Sequence, residues 1–144
     1  MRREQNTRIT DRDAARLARI VEDLLRRASA IENGAEALHD TLDAARIVPA
    51  EEIDGDVVTM NSEVTVEDGA NGKTQVVRLA YPEQADPGKG RISVLSPFGN
   101  AILGARVGDR VSFATPVGER WVRVAGIRYQ PEAAGHFDSS FEAD

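Results

Sequence analysis

The stretch ISVLSPFGNAILGARVGDRVSFATPVGERWVRVAGIRY, residues 92–129, changes its hydrophobic period twice, and that change decides the fold. Ser96 stands before Pro97 as a helix N-cap stands before a proline in the first turn, where the missing N–H costs nothing. Ala101, Ile102 and Leu103 supply the buried face of this short helix and Gly104 ends it. On either side the period is two: RISVL, RVSFA and ERWVRVAGIRY read as strands, with a Gly108-Asp109 turn leading into the second. A single short helix set between strands closes one face of a small antiparallel sheet.

Upstream of it, VVTM, EVTVE and TQVVRLAY continue the strand pattern back to about residue 56, separated by Gly, Asn and Pro. Before that point the period is helical. Thr10 is an N-cap with Asp13 at the reciprocal capping position, and Leu17, Ile20, Val21, Leu24, Leu25 and Ala28 recur at helical spacing. After an Asn33-Gly34 turn, Ala35, Leu38, Leu42 and Ala45 form a second narrow seam. Neither seam can be buried alone, so the two helices form an antiparallel hairpin. The expected organisation is α+β: a flexible N-terminus over 1–9, a short antiparallel helical hairpin (coiled coil) over 10–48, a linker over 49–55 that Pro49 opens, an antiparallel sheet domain with one short helix over 56–130, and an acidic flexible tail over 131–144.

Composition narrows the function classes. The chain has 144 residues, 18 basic and 24 acidic, for a net charge of −6, which argues against coating nucleic acid or anionic membrane by bulk electrostatics. With no cysteine there is no disulfide framework and no thiolate zinc site. No apolar run approaches the roughly 20 residues that span a bilayer, and the first thirty residues carry charges throughout, so a cytoplasmic protein is expected. Charge is unevenly placed: residues 28–56 hold eight acids against Arg46 alone, whereas residues 57–130 hold nine bases and seven acids.

Glu36, His39 and Asp43 share a helix face in a Glu-x-x-His spacing known from di-metal bundles, but one such pair makes half a site, and it reads as a solvated helix surface. His136 has no nucleophile or base beside it, and Gly69, Gly72, Gly88 and Gly90 read as hairpin turns rather than a phosphate loop. The sheet domain's aromatics, Tyr81, Phe98, Phe113, Trp121 and Tyr129, read as core. Lys89 and Arg91, in a polar loop, are available to an acidic partner surface. No catalytic residue, metal ligand or cofactor site is expected.

Residues 92–129, with their Ser-Pro-x-Gly, Ala-x-Leu-Gly and Gly-Asp-x-Val succession, resemble the C-terminal domain of the Gre-type transcription factors, which has an FKBP-like fold. The segments DVVTMNSEV (56–64), LAYPEQAD (79–86) and YQPEAAG (129–135) resemble the short-armed branch of that superfamily, the Rnk-type regulators of nucleoside diphosphate kinase. The resemblance implies binding to bacterial RNA polymerase, with the sheet domain at the rim of the secondary channel and the hairpin pointing inward. It implies Ser96, Pro97 and Phe98 as polymerase contacts, with Leu95 standing where cleavage factors often carry an acid. Cleavage-stimulating members place two tip acids in an Asp-x-x-Glu pattern; here the tip reads IENGAEAL (31–38), so Glu32 and Glu36 are four apart and straddle the turn. That departure and the short arm imply a regulator that competes with other channel factors without stimulating transcript cleavage. The same resemblance implies a monomer with no sequence-specific nucleic-acid contact, no membrane contact and only an indirect effect on any kinase. An FKBP-like fold also leaves open a peptidyl-prolyl isomerase, although fold alone does not confer that activity.

Overall fold

A computed structural model describes residues 7–27 and 34–136. The chain runs β1 (Arg8–Thr10), α1 (Asp11–Leu25), α2 (Ala35–Ala44), β2 (Arg46–Val48), β3 (Glu63–Asp68), β4 (Thr74–Ala80), β5 (Arg91–Ser93), α3 (Pro97–Ile102), β6 (Arg110–Thr115) and β7 (Gly118–Tyr129). Short 3₁₀ turns occupy Ala50–Glu52, Pro82–Gln84 and Pro87–Lys89.

The main sheet has the order β5-β4-β3-β7-β6. Its neighbours are antiparallel except β4 and β5, which run parallel with Arg78 opposite Arg91. Gly88 and Gly90 lie in a tight turn closed by an antiparallel bridge between Asp86 and Arg91, within the connection from β4 to its parallel neighbour β5, and Gly69 and Gly72 lie between antiparallel β3 and β4. The expected strand VVTM is reduced to an isolated bridge between Val57 and Arg106. Strand alternation turns Val64, Val66, Val77, Leu79, Val111, Val122 and Val124 to one side, where all are buried.

α3 forms as its sequence dictates. The Ser96 hydroxyl accepts from the Gly99 N–H at 3.0 Å, Pro97 opens the helix, and Gly104 leaves it at φ +78°. At Gly104 a Cβ would sit 2.4 Å from the Thr7 side chain, because β1 crosses there and Arg8 donates its N–H to the Gly104 carbonyl. Ile102 and Leu103 are fully buried.

The hairpin is shorter than expected and is clamped at its base. α2 ends at Ala44, and residues 46–48, assigned to the helix from sequence, instead form a strand parallel to β1, with Arg8 opposite Arg46. Two parallel strands need a crossover connection, and here α1 and α2 supply it. The stretch expected to be a flexible N-terminus thus enters the fold from Thr7 onward, with Thr7 and Ile9 buried. A three-residue strand is too short to show a period, and its partner is remote in sequence.

The hairpin seam belongs to the core of the sheet. Leu17, Val21 and Leu38 are buried and join one apolar cluster with Val58, Met60, Val64, Val77 and Leu79. The expected linker is also fastened: Ala50 is buried and donates its N–H to Asp11 Oδ1 at 3.1 Å. Of the expected acidic tail, residues 131–136 fold back as turns on the sheet domain. The Gln130 side chain donates to the Asp54 and Val57 carbonyls at 2.8 and 2.7 Å and accepts from the Ala133 N–H at 3.1 Å. A glutamine acting as a surrogate for backbone leaves no periodic trace, so sequence pattern alone misses it. Residues 137–144 lie outside the described residues.

Candidate functional site

The loop from Ser93 to Asn100 carries the expected contacts Ser96, Pro97 and Phe98. Its shape is set by local hydrogen bonds: Ser96 donates its hydroxyl to the Ser93 carbonyl at 2.7 Å while accepting from Gly99, and the Ser93 hydroxyl accepts from the Leu95 N–H at 3.0 Å. The Ser96 hydroxyl is therefore committed to folding the loop. Gly99 is demanded by the same tightness, since a Cβ there would lie 2.0 Å from the Ser93 carbonyl oxygen. Pro97 is exposed at the tip. Phe98 is half-buried, its ring stacked on Phe113 with centroids 4.9 Å apart. Arg120 extends over the outer part of that pair, 5.9 Å from the Phe113 ring, and is held there by an ion pair with Asp68.

The structure brings this loop together with the start of α2. Gly34 takes φ +84°, and a Cβ on it would fall 2.2 Å from the Leu95 carbonyl oxygen, so the turn into α2 presses directly on the loop. Asn100 Nδ2 reaches the Ala37 carbonyl at 3.5 Å. Glu36, in the first turn of α2, is exposed beside this junction. Glu32, the other expected tip acid, lies outside the described residues.

The remaining sequence candidates separate clearly. Glu36, His39 and Asp43 are exposed, with His39 only 3.7 Å from Asp40, and no metal-ligating group of three occurs among the described residues. His136 is bound through Nδ1 to the Tyr129 hydroxyl at 2.7 Å. Lys89 and Arg91 are exposed, Lys89 in the turn before β5 and Arg91 at the first position of that strand and not in the loop. Of the five aromatics read as core, Tyr81 is buried and Phe98 and Phe113 are half-buried against the core. Trp121 is 38% exposed on the opposite side of the sheet, and Tyr129 shares that side. Trp121 sits there because Gly69 leaves room for the indole, a Cβ on Gly69 falling 2.1 Å from the ring.

Sequence reading missed a buried polar cluster where α1 meets the sheet domain. The Thr10 hydroxyl caps α1 by accepting from the Asp13 N–H at 3.0 Å, as expected. The Asp13 carboxylate instead accepts from the Met60 N–H at 3.0 Å and from the Tyr81 hydroxyl at 3.4 Å, and only 5% of the residue is exposed. Burial first, and the nearby Glu132 carboxylate second, push its pKa up from 3.8 to about 7, against the Met60 hydrogen bond and the charge of Arg16. Glu132 is pushed up by burial while accepting from the Thr59 hydroxyl at 2.7 Å, and burial also raises Tyr81. The Asp at the third position of α1 was legible as a cap residue; its buried partners come from loops distant in sequence.

The family match places this sheet, its Ser-capped α3 and the loop packed against the hairpin in a class of transcription factors. Residues 51–129 match the family described as transcription elongation factor, GreA/GreB, C-term, and the chain belongs to the Gre-factor superfamily. Among individual proteins it is similar to the regulator of nucleoside diphosphate kinase of Escherichia coli K12, 40% identical over 104 residues, covering 72% of this chain and 76% of the relative. It is similar to the transcription inhibitor protein Gfh1 of Thermus aquaticus, 39% identical over 99 residues, covering 67% and 62%. The solved structure of the transcription elongation factor GreA/GreB from Nitrosomonas europaea superposes with a TM-score of 0.70 at 34% identity, covering 85% of this chain and 99% of that one.

Proposed function

We propose that this protein binds bacterial RNA polymerase at the rim of the secondary channel and regulates transcription by competing with other channel factors, without stimulating transcript cleavage. The carrying observation is the packing of the α2 turn at Gly34 onto the loop of Ser96, Pro97 and Phe98. A docking loop and an acidic arm fixed on one core present a single face, with Pro97 and the outer edge of Phe98 as contacts and Glu36 beside them. Ser96 shapes the loop, and Glu32 completes the acidic tip in this reading. Short reach supports the lack of cleavage: α1 has 15 residues and α2 has 10, or about 22 and 15 Å at about 1.5 Å per residue. Two carboxylates help hold a catalytic cation only when both arrive at it. The protein acts by binding rather than by chemistry, as a monomer in the cytoplasm, and any effect on a nucleotide kinase runs through transcription. Among the described residues no helix is long and apolar enough to cross a membrane.

The test is competition on core polymerase against a labelled, cleavage-competent Gre factor, with a Pro97→Ala, Phe98→Ala variant beside the parent. The parent is expected to displace the label and to leave a stalled complex uncleaved; the variant is expected to lose displacement while keeping its circular dichroism. Absence of any displacement by the parent refutes polymerase docking, and cleavage by the parent refutes the short-reach reading.

A further inference from the structure

The side of the main sheet that faces away from the core carries two arginine and aromatic pairs that the polymerase reading does not use. At one end Arg78, Glu63 and Tyr129 lie in register across β4, β3 and β7, and the Arg78 guanidinium sits 5.3 Å from the Tyr129 ring centroid. At the other end Glu67, Arg123 and Arg110 lie in register, and Arg110 sits 4.9 Å from the Trp121 ring. Between the ends runs a bare strip: Val76, 38% exposed, then Thr65, then Gly126, where an added Cβ would meet nothing within 4 Å. Glu67 is neutralised by Arg123 at 2.8 Å, whereas Arg110 has no carboxylate partner among the described residues.

This face is positive in an acidic chain. Arg78, Arg91, Arg110 and Arg123 stand against Glu63, Glu67 and Glu119, four charges less three, on a protein of net charge −6. Arg78 gives one guanidinium N–H to the Asn61 carbonyl at 3.0 Å; its remaining donors and those of Arg110, each carried beside a ring, are left for a phosphate or carboxylate. A second copy of the chain would oppose like charges, and a lipid surface would find Val76 as the one exposed aliphatic side chain between the pairs. An acidic polypeptide would use the arginines and leave the planar groups idle. A single-stranded polyanion with flat bases uses both, since bases stack on aromatic rings and on guanidinium planes.

We infer that the outer face of this sheet is a binding surface for single-stranded nucleic acid, engaged without sequence preference. Arg110 and Arg78 take phosphates, and bases stack against the guanidinium and ring pairs at Trp121 and Tyr129. From Gly69, which bonds to Trp121, to Glu63, opposite Tyr129, the strand advances about 20 Å at about 3.3 Å per residue, room for a few nucleotides. Two or three phosphate contacts predict weak binding with a log–log salt slope of about −1.4 to −2.1. The inference does not rest on polymerase docking, which uses the loop of Pro97 and Phe98.

Trp121 is the single tryptophan of the chain and reports on this face directly. Oligothymidylate and oligouridylate are titrated separately into the full chain at low salt, following Trp121 fluorescence and the anisotropy of the labelled strand. Saturable quenching is expected with at least one of the two, and the stronger arm tells DNA from RNA. Arg110→Ala and Arg78→Ala are each expected to weaken binding by about three- to tenfold, with salt slopes reduced. Arg19→Ala, exposed on α1 and so across the core from this face, is expected to change nothing, and thermal melts confirm that each variant is folded. No saturable binding overturns the inference, as does unchanged affinity in Arg110→Ala. Equal binding of polyglutamate overturns it in favour of an acidic protein partner.

Discussion

Replacing Asp13 with asparagine tests the electrostatics of the seat between the hairpin and the sheet. Asp13 is 5% exposed, and its carboxylate faces the cap residue Thr10, Arg16 of α1, the Met60 N–H, the Tyr81 hydroxyl and the Glu132 carboxylate. Its pKa is pushed up to about 7 from an ordinary 3.8. The folded protein therefore holds a proton that the unfolded chain releases. That contribution to stability is complete below the unfolded value, falls as pH rises between the two, and is gone above about 7. The interval from 3.8 to about 7, at about 1.36 kcal/mol for each tenfold change in proton binding, sets an upper bound of about 4 kcal/mol.

Asparagine keeps the shape and an acceptor for the Met60 N–H but never ionises. Asp13→Asn is expected to match the parent near pH 4 and to exceed it at pH 8 by about 1 to 4 kcal/mol. The assay is urea unfolding followed by far-ultraviolet circular dichroism across pH 4 to 8. Glu132, raised in the same direction, keeps some pH dependence in the single variant, and Asp13→Asn with Glu132→Gln should flatten the profile further. A constant difference across pH, or a variant less stable than the parent at pH 8, would show that the Met60 N–H and Arg16 repay ionisation in full, and would refute the reasoning.

Gly34→Ala is expected to destabilise by about 1 to 3 kcal/mol from left-handed backbone strain alone, with more from overlap on the Leu95 carbonyl, read by urea unfolding. The same variant should weaken polymerase competition, since the overlap displaces the loop of Pro97; unchanged competition would separate the arm from the docking loop. Gln130→Ala removes three hydrogen bonds to backbone and is expected to cost about 2 to 4 kcal/mol. Amide exchange at Ala133 should accelerate, and unchanged exchange there would show that Pro131 packing alone holds the segment.

Elements whose chemistry is local were legible. Ser96, Pro97 and Gly104 each state a cap, a first turn and a stop within a few residues, and α3 lies where they put it. The alternating valines of β3, β4, β6 and β7 mark strands because each strand buries one face and leaves the other to solvent. What failed depends on partners remote in sequence. The strand over Arg46–Val48 exists only because β1 lies beside it, and Asp13 reads as a cap residue until Met60 and Tyr81 close over it. Residue type assigns Trp121 to the core, and only Gly69, which follows β3 and bonds to Trp121 from the neighbouring strand, reveals that the outer face accommodates it. The loop of Ser96 to Phe98 was visible as a motif; its contact with Gly34 was not, because a turn signal says that the chain reverses and nothing about what it then touches.

That contact changes how the arm should be understood. A hairpin tethered through a flexible linker would leave the docking loop to keep its own shape, and arm and sheet would contribute to binding independently. Here the linker is pinned by Ala50 to Asp11, the hairpin ends are clamped by β1 and β2, and Leu38 is buried in the cluster that includes Val64 and Leu79. Removing the arm would strip apolar cover from the sheet and release the Leu95 side of the loop together. Loss of activity on arm truncation would then say nothing about a role for the tip, because the docking surface would be damaged too. Point substitutions at exposed positions, Glu36 on the arm and Pro97 on the loop, separate the two contributions while leaving the shared core intact.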